Sequence, residues 1–466
     1  MSVLDTALGR LLEEVRISRT EISGSVSIVG DDPVTPGVHR LGGASAVALA
    51  AQGAALAAWW RLRGGRPQQV SVNIGDAVHA LNTGIFLRQN GHLSDPHVLM
   101  YSPAMGFHPT RDGRLIFLNT AKPRQRDGIL ELLGCPHTLA AVRASAATWA
   151  AEDLEEACAQ RRLAGCMPRS QEEWRAHPQG QWQGGKSLIH ISRVSESAPV
   201  TPTPGPRPLS GIRVLDVAHI LAGPIVSRTL AEQGADVLRI TSPLVPDELP
   251  LVMDTGFGKR AAFLNLDQAT DRSRLEELIR TADVFIQSYA PGSLARRGFS
   301  AQRLAQLNPG LIYVGVSCYG DGPWATRVGF DPNAQAVAGI SASEGSLQEP
   351  KRVATGLLND LVTGYLGAAG VLAALIRRAR EGGGYQIDLA LVRTSMWVQD
   401  LGFVPAAHRL PASEPFRTQV PRLFSMQSPF GELTYLAPVT HYSDTPGYWS
   451  RPPEPLGASR PEWLPH

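Results

Sequence analysis

Arg352–Arg380, RVATGLLNDLVTGYLGAAGVLAALIRRAR, sets one Asn-Asp pair at the head of an apolar run rich in small residues that closes on arginines. Asp360 is the residue best placed for chemistry. An Asn/Asp-type side chain just before an apolar periodic segment is a strong N-cap signal, and Arg377, Arg378 and Arg380 suit the negative end of the helix that follows. A carboxylate at the positive end of that dipole is expected to stay ionised at neutral pH and could attack an electrophile; the same side chain could equally be a structural cap. Gly364, Gly367, Ala368, Gly370 and Ala373 alternate with larger apolar residues, so the helix is expected to be buried almost throughout.

Other chemistry-bearing residues are sparse. His219 in HILAGP follows a predicted strand, Arg213–Val217, at the carboxyl end where open parallel sheets bind ligands; a structural histidine is the competing reading. Lys259-Arg260 and Arg296-Arg297 are basic pairs suited to phosphate or, alternatively, to the solvated surface. Cys135, Cys158, Cys166 and Cys318 have no metal-ligand spacing and are too few for a disulfide framework, which points to a reducing, cytoplasmic setting and no metal. There is no Walker loop, GxSxG or GxGxxG. With 44 Lys+Arg against 42 Asp+Glu the net charge is +2, so nothing attracts nucleic acid in general and an anionic ligand needs local basic residues.

The elements that must position these residues follow from periodicity. After the Pro/Ser-rich linker VSESAPVTPTPGPRPLS, short apolar strands alternate with helices: Arg213–Val217, Pro224–Gln233, Val237–Ile240, Ser273–Thr281, Asp283–Ser288, Leu311–Ser317, the Asp360 helix and Tyr385–Leu389. That pattern predicts an α/β fold, a parallel sheet covered on both faces. At an offset of 317 residues, Leu49, Ala51, Gly53, Ala57, Arg61, Arg63, Gly65 and Gln69 match Leu366, Ala368, Gly370, Ala374, Arg378, Arg380, Gly382 and Gln386. The run around Ala44–Trp60 is therefore a second copy of the Asp360 helix, buried and not membrane-spanning, with Gly43 where the aspartate would be. The N-terminal stretch reads as an amphipathic helix. The expected organisation is a degenerate partial copy at 1–97, a small α/β domain at 98–193, a linker at 194–208, the main domain at 209–400 and a C-terminal segment at 401–466.

From Leu209 to about Leu401 the chain resembles the class III CoA-transferases, a family that includes carnitine CoA-transferase-like proteins and α-methylacyl-CoA racemases. The resemblance rests on LSGIRVLDVAHILAGP, GKRAAFLNLD, PGSLARRGF with NPGLIY, GFDPNAQAVAG and LNDLVTGYLGAAG, five blocks in family order. It implies a Rossmann-like CoA-binding domain with a smaller α/β domain, two chains interlinked as a homodimer, Asp360 as catalytic aspartate, and CoA contacts from Lys259, Arg260, Arg296, His219 and Ala222. It also implies an acyl-CoA and a carboxylic acid as substrates, with CoA passing through an aspartyl acyl anhydride and an aspartyl-CoA thioester. A racemase, isomerase or lyase acting on acyl-CoA, or a non-catalytic CoA-binding subunit, are the alternatives. Departures are visible: Gly329-Phe330-Asp331 stands where the racemase branch has GHD, and phenylalanine carries no proton. Leu221 stands where formyl-CoA transferases have glutamine, Thr241–Gly258 is short, and the small-domain-like segment precedes the large domain as in a truncated tandem.

Overall fold

A computed structural model of the chain describes residues 2–93, 102–414, 416–418 and 420–465. The boundary expected between residues 97 and 98 lies outside the described residues. The main sheet has seven strands, β1 (His190–Ser195), β2 (Arg213–Val217), β3 (Asp236–Thr241), β4 (Lys259–Phe263), β5 (Val284–Gln287), β6 (Ile312–Ser317) and β7 (Gly384–Ala390), in the order β4-β3-β2-β5-β6-β7-β1. All pairs are parallel except β7 with β1, the antiparallel edge. Short Val/Ile/Leu runs such as VLDV and IYVGV are buried on both faces, as a parallel sheet requires. The strand order reverses between β2 and β5, and the crevice outside their carboxyl ends is the place where such sheets take ligands.

The expected strands and helices of the 209–400 region form, and the expected amphipathic start is a helix, Val3–Glu14, burying Leu4, Leu8, Leu11 and Leu12. Two elements differ from the sequence reading. The Lys259-Arg260 pair, read as suited to phosphate or to the solvated surface, lies in β4, because KRAAF is short and apolar enough to pair with β3. The linker expected from residue 194 begins later, since β1 runs to Ser195 inside the main sheet.

Two long helices, α1 (Leu41–Leu62) and α3 (Asn359–Glu381), pack together in the core, with α2 (Ala222–Glu232) against the other side of α3. Both α1 and α3 are long and apolar enough to cross a membrane, yet nearly every residue of each is buried in the protein. Their glycines and alanines permit close approach: a Cβ on Gly364 would come 2.4 Å from Ile225 of α2. The first-copy segment is therefore built into the same core as the main sheet. It is closed by the chain's other end, since Val26–Val29 and Val70–Asn73 form a sheet with His441–Tyr442, and Arg88–Gln89 pairs with Gly431–Leu436.

Candidate active site

The Asn-Asp pair at the start of α3 divides its labour. Asn359 is fully buried and accepts a hydrogen bond from Ser395 Oγ at 2.8 Å, a packing role. Asp360 is the second residue inside the helix, and the flanking Leu358 supplies no side-chain cap. The capping acceptor comes from elsewhere in the chain: Asp331 Oδ2 takes the N–H of Leu358 at 3.0 Å and that of Asp360 at 2.9 Å. The cap expected from Asp360 itself is thus corrected, because a residue within the first turn cannot fold back onto amides already held by a buried carboxylate. The Asp360 carboxyl has no hydrogen-bond partner among the described residues and lines a cavity of about 80 Å³.

The expectation that Asp360 is fully ionised is also corrected. Its carboxyl is pushed well above the usual carboxylate range, first by burial and then by the negative charge of Asp331. Asp331 is raised by burial too, but backbone N–H groups and Gln335 hold its anion. The two carboxyls titrate as a pair, and the one with fixed donors keeps the charge while Asp360 keeps the proton longer. A carboxyl at once desolvated, unbonded and open to a cavity has the chemistry that a nucleophilic role requires, since its anion, once formed, is strong.

Asn82, Thr83, Leu221, Asp254 and Phe330 share the cavity wall with Asp360, so residues on both sides of the linker build it within one chain. Thr83 Oγ1 donates to the buried Asp254 at 2.6 Å. Sequence reading missed this pair; its signal is the NTG turn after the first-copy strand, visible only once α1 is known to pack on α3. Phe330, from the GFD motif, presents an apolar ring and no proton carrier.

His219 stands at the switch-point crevice as expected. Its N–H donates to Ser288 Oγ at 2.9 Å, its ring meets that of Tyr289 edge-on at 4.3 Å, and Nδ1 lies 3.2 Å from Asp247 Oδ1. Burial works against the Asp247 anion, but its bonds to His219 and the Arg239 charge overcome it and hold the carboxyl below the usual range. The next residue, Ile220, has φ +65°, a left-handed conformation costly for a β-branched side chain. Its N–H is steadied by Asp247 Oδ2 at 3.3 Å. This turn starts α2 at Ala222, whose N-cap position, Leu221, has no side-chain cap. Ala222 thus opens a helix whose positive end faces the crevice.

Two predicted ligand contacts are not at this crevice. Lys259 is buried with 1% exposure, its Nζ bound to Asp216 Oδ2 at 2.7 Å and the Pro224 carbonyl at 2.8 Å, and burial pushes it down to about 8. Arg260, pointing to the other face of β4 as alternate strand residues must, pairs with Asp236 at 3.0 Å and donates to the Glu462 carbonyl. Both cations are structural ties that the β-strand pleat separates. Arg296 is exposed and has no carboxylate partner among the described residues. No group of three or more His, Cys, Asp or Glu able to hold a metal occurs among the described residues.

The segment around α1 holds a matching cap but has no carboxyl at the position of Asp360. Gly43 N–H donates to Asp32 Oδ2 at 2.7 Å, as Asp360 N–H does to Asp331, and Asp32-Pro33 mirrors Asp331-Pro332. A Cβ on Gly43 would lie 2.7 Å from Asp32 Oδ2 and 2.8 Å from Leu4 of the N-terminal helix, so the space that Asp360 faces in the second copy is filled here.

Comparison with known proteins matches residues 209–430 to the family model "CoA-transferase family III". Residues 209–430, just under half of the chain, are therefore similar to CoA-transferase family III. Among curated relatives, an acetyl-coenzyme A transferase, nodX, of Hypoxylon pulicicidum is 38% identical over 51% of this chain and 43% of its own. A formyl-CoA:oxalate CoA-transferase of Streptomyces avermitilis is 33% identical over 39% of this chain and 47% of its own. The chain spans about half the length of the curated relatives it matches. A crystal structure of a CAIB/BAIF family protein from Brucella suis is 30% identical, covering 48% of this chain and 65% of that one, with a TM-score of 0.40. The family III region includes the Asp360 helix, the switch-point crevice and β4, whereas Asn82 and Thr83 of the cavity wall lie outside it.

Proposed function

We propose that the protein is an enzyme that moves CoA from an acyl-CoA to a carboxylic acid, with Asp360 as nucleophile. The observation that carries this is the Asp360 carboxyl: relieved of capping by Asp331, unbonded, and turned into an apolar cavity beside the crevice of the parallel sheet. In the proposed sequence the Asp360 carboxylate attacks the thioester carbonyl and CoA thiolate leaves, giving a mixed anhydride. The thiolate then attacks the aspartyl carbonyl, releasing the first acid and leaving an aspartyl-CoA thioester. The acceptor carboxylate attacks that carbonyl and expels CoA thiolate, giving a second mixed anhydride, and the thiolate then attacks the acceptor's acyl carbonyl, forming the new acyl-CoA and freeing the Asp360 carboxylate. The positive end of α2 at Ala222 offers charge stabilisation for the oxyanions. Phe330 leaves the GFD motif without the proton carrier that racemisation by that pair needs. The proposal includes a cytoplasmic homodimer with one reacting carboxyl per chain.

Asp360→Ala should abolish CoA exchange, followed by mass spectrometry across a panel of acyl-CoAs and acids, while leaving CoA affinity within about threefold. Hydroxylamine during turnover of the unaltered protein should trap Asp360 as a hydroxamate. Exchange that persists in the Ala variant would remove Asp360 from the chemistry. Mass in solution tests the dimer.

A further inference from the structure

The cavity beside Asp360 offers an incoming acyl group apolar walls and no counter-charge. Leu87, Leu221, Leu251, Phe330, Leu357 and Leu361 supply the apolar side chains. The polar side chains among them are already committed to the fold. Asn82 Nδ2 donates to the Thr355 carbonyl at 3.0 Å, Asn119 Oδ1 accepts from the Ala121 N–H at 3.2 Å, and the Thr83 hydroxyl donates to Asp254. The charges in the wall are mostly carboxylates. Asp254 and Asp331 are buried there; Arg228, 3.9 Å from Asp254, does not line the cavity, and Asp331 is held by neutral donors. Lys122 is the one cation in the wall among the described residues. It is paired with Glu248 and lies 3.8 Å from Asp247, so one ammonium faces two carboxylates at the mouth.

We infer that this cavity selects an uncharged apolar acyl group of about four to six carbons and rejects acyl groups that end in a second carboxylate, with Leu87 as a specificity-determining residue. The size follows from the space: at roughly 10–15 Å³ for each water-sized site, about 80 Å³ holds on the order of six non-hydrogen atoms, thioester carbonyl included. Each methylene that leaves water for such a wall gains about fourfold in affinity. A terminal carboxylate brought to roughly 8 Å from the Asp331 anion, at an effective dielectric constant of about 20, loses about 30-fold, before the cost of its own desolvation. Leu87 is buried and comes from outside residues 209–430, so the segment before the linker helps to set the acyl length. The inference rests on the transferase reading for the reaction itself. In that exchange the donor acyl-CoA and the acceptor carboxylate leave as the donor's carboxylate and the acceptor's acyl-CoA, so one wall accepts both acyl groups in turn.

The test separates binding from turnover. Butyryl-CoA, succinyl-CoA and octanoyl-CoA are titrated calorimetrically into Asp360→Asn, which keeps the side-chain shape and cannot form the anhydride. Butyryl-CoA should bind at least about 30-fold tighter than succinyl-CoA, although the two differ only at the far end of a four-carbon acyl group. Octanoyl-CoA should bind more weakly than butyryl-CoA, and adding Leu87→Ala should reverse that order. Leu357 is half-buried, so a lysine there can present its ammonium to the cavity; Leu357→Lys in the same background should narrow the butyryl-to-succinyl ratio at least about tenfold. In the unaltered protein, CoA exchange with butyrate should exceed exchange with succinate by a similar factor in kcat/KM. Equal affinity for the butyryl and succinyl thioesters, binding of none of the three, or a ratio that Leu357→Lys leaves in place would overturn the inference. Exchange confined to dicarboxylates would overturn it too, while keeping the transferase reading. The expected order of binding in a protein that exchanges CoA between no pair of acids would keep the cavity's selectivity and discard the transferase reading instead.

Discussion

Asp331→Asn asks whether one buried carboxylate sets both the start of α3 and the proton affinity of Asp360. Asp331 has no exposed surface and accepts from Leu358 and Asp360 N–H through Oδ2. An asparagine oxygen can keep both of those bonds. Its NH2 group then faces Gln335, whose Nε2 already donates to the Gly356 carbonyl at 3.2 Å and whose Oε1 is taken by Val353 N–H at 3.1 Å. Two donors facing each other in a buried site cost about 1–3 kcal/mol. Asp331→Ala strands two amides and should cost about 2–6 kcal/mol, counting the same penalty for each. The charge effect is separate. Burial and the Asp331 charge both hold the Asp360 carboxyl up, so removing the charge lets it fall, though burial keeps it above the usual range. A lower proton affinity brings the nucleophilic anion into being at lower pH, and the acid limb of kcat/KM against pH must move down in Asp331→Asn. Urea unfolding and the pH profile are read on the same preparations. An acid limb that stays in place or moves up would refute the electrostatic reasoning, and an Ala variant as stable as the Asn variant would refute the capping role.

Lys259→Ala leaves Asp216 buried and unpaired, so unfolding free energy should drop by about 3–5 kcal/mol while the folded fraction binds CoA within about twofold; a large affinity loss in a stable variant would return Lys259 to the ligand. Glu232 is pushed up to about 7 by burial, so it is neutral when folded at pH 5 and charged at pH 8, and burying that charge weighs against the folded state as pH rises. Glu232→Gln should therefore gain stability over the unaltered protein at pH 8 and much less at pH 5, as thermal melts at the two pH values will show. Gly43→Asp forces a side chain against Leu4 and Asp32 and should destabilise by about 1–3 kcal/mol without adding a second equivalent of bound CoA; two equivalents per chain would show a site that can be revived.

The parallel sheet was legible because VLDV, VFIQ and IYVGV are short, mainly apolar runs between helices, and the buried nature of α1 and α3 because their small residues leave no polar face. The match of the α1 segment to α3 at an offset of 317 is visible in sequence through its shared Gly-Arg punctuation, and both segments are long buried helices. The cap on α3 was not legible, since Asp331 lies 29 residues before Asp360 and local spacing assigns a cap to the nearest Asn or Asp. Nor was the fate of Lys259 and Arg260. A basic pair has the same spelling in a phosphate loop and in a strand, and only the pairing of β4 with β3 sends one side chain inward to Asp216 and the other to Asp236. The arginines at the end of α3 were read as partners of its dipole; they also clasp neighbours, Arg378 bonding Asp283 at 2.7 Å and Arg377 the Val15 carbonyl at 3.0 Å.

The pairing of the first hundred residues with the last forty has a cost in time. Tyr442 donates to Gln52 of α1, Asp444 accepts from Trp60, and Gly431–Leu436 pairs with Arg88–Gln89, so these partners are made some 340–390 residues apart in the chain. At a synthesis rate of about 5–20 residues per second, α1 leaves the ribosome roughly 20–80 seconds before the groups that cover it exist. Through that interval a helix with the hydropathy of a membrane span, 1.5 on average, waits without its burial partners. An arrangement that builds the Asp360 cavity from distant parts of one polypeptide thus exposes the newborn chain to aggregation, and its yield on refolding should fall with protein concentration well before its equilibrium stability does.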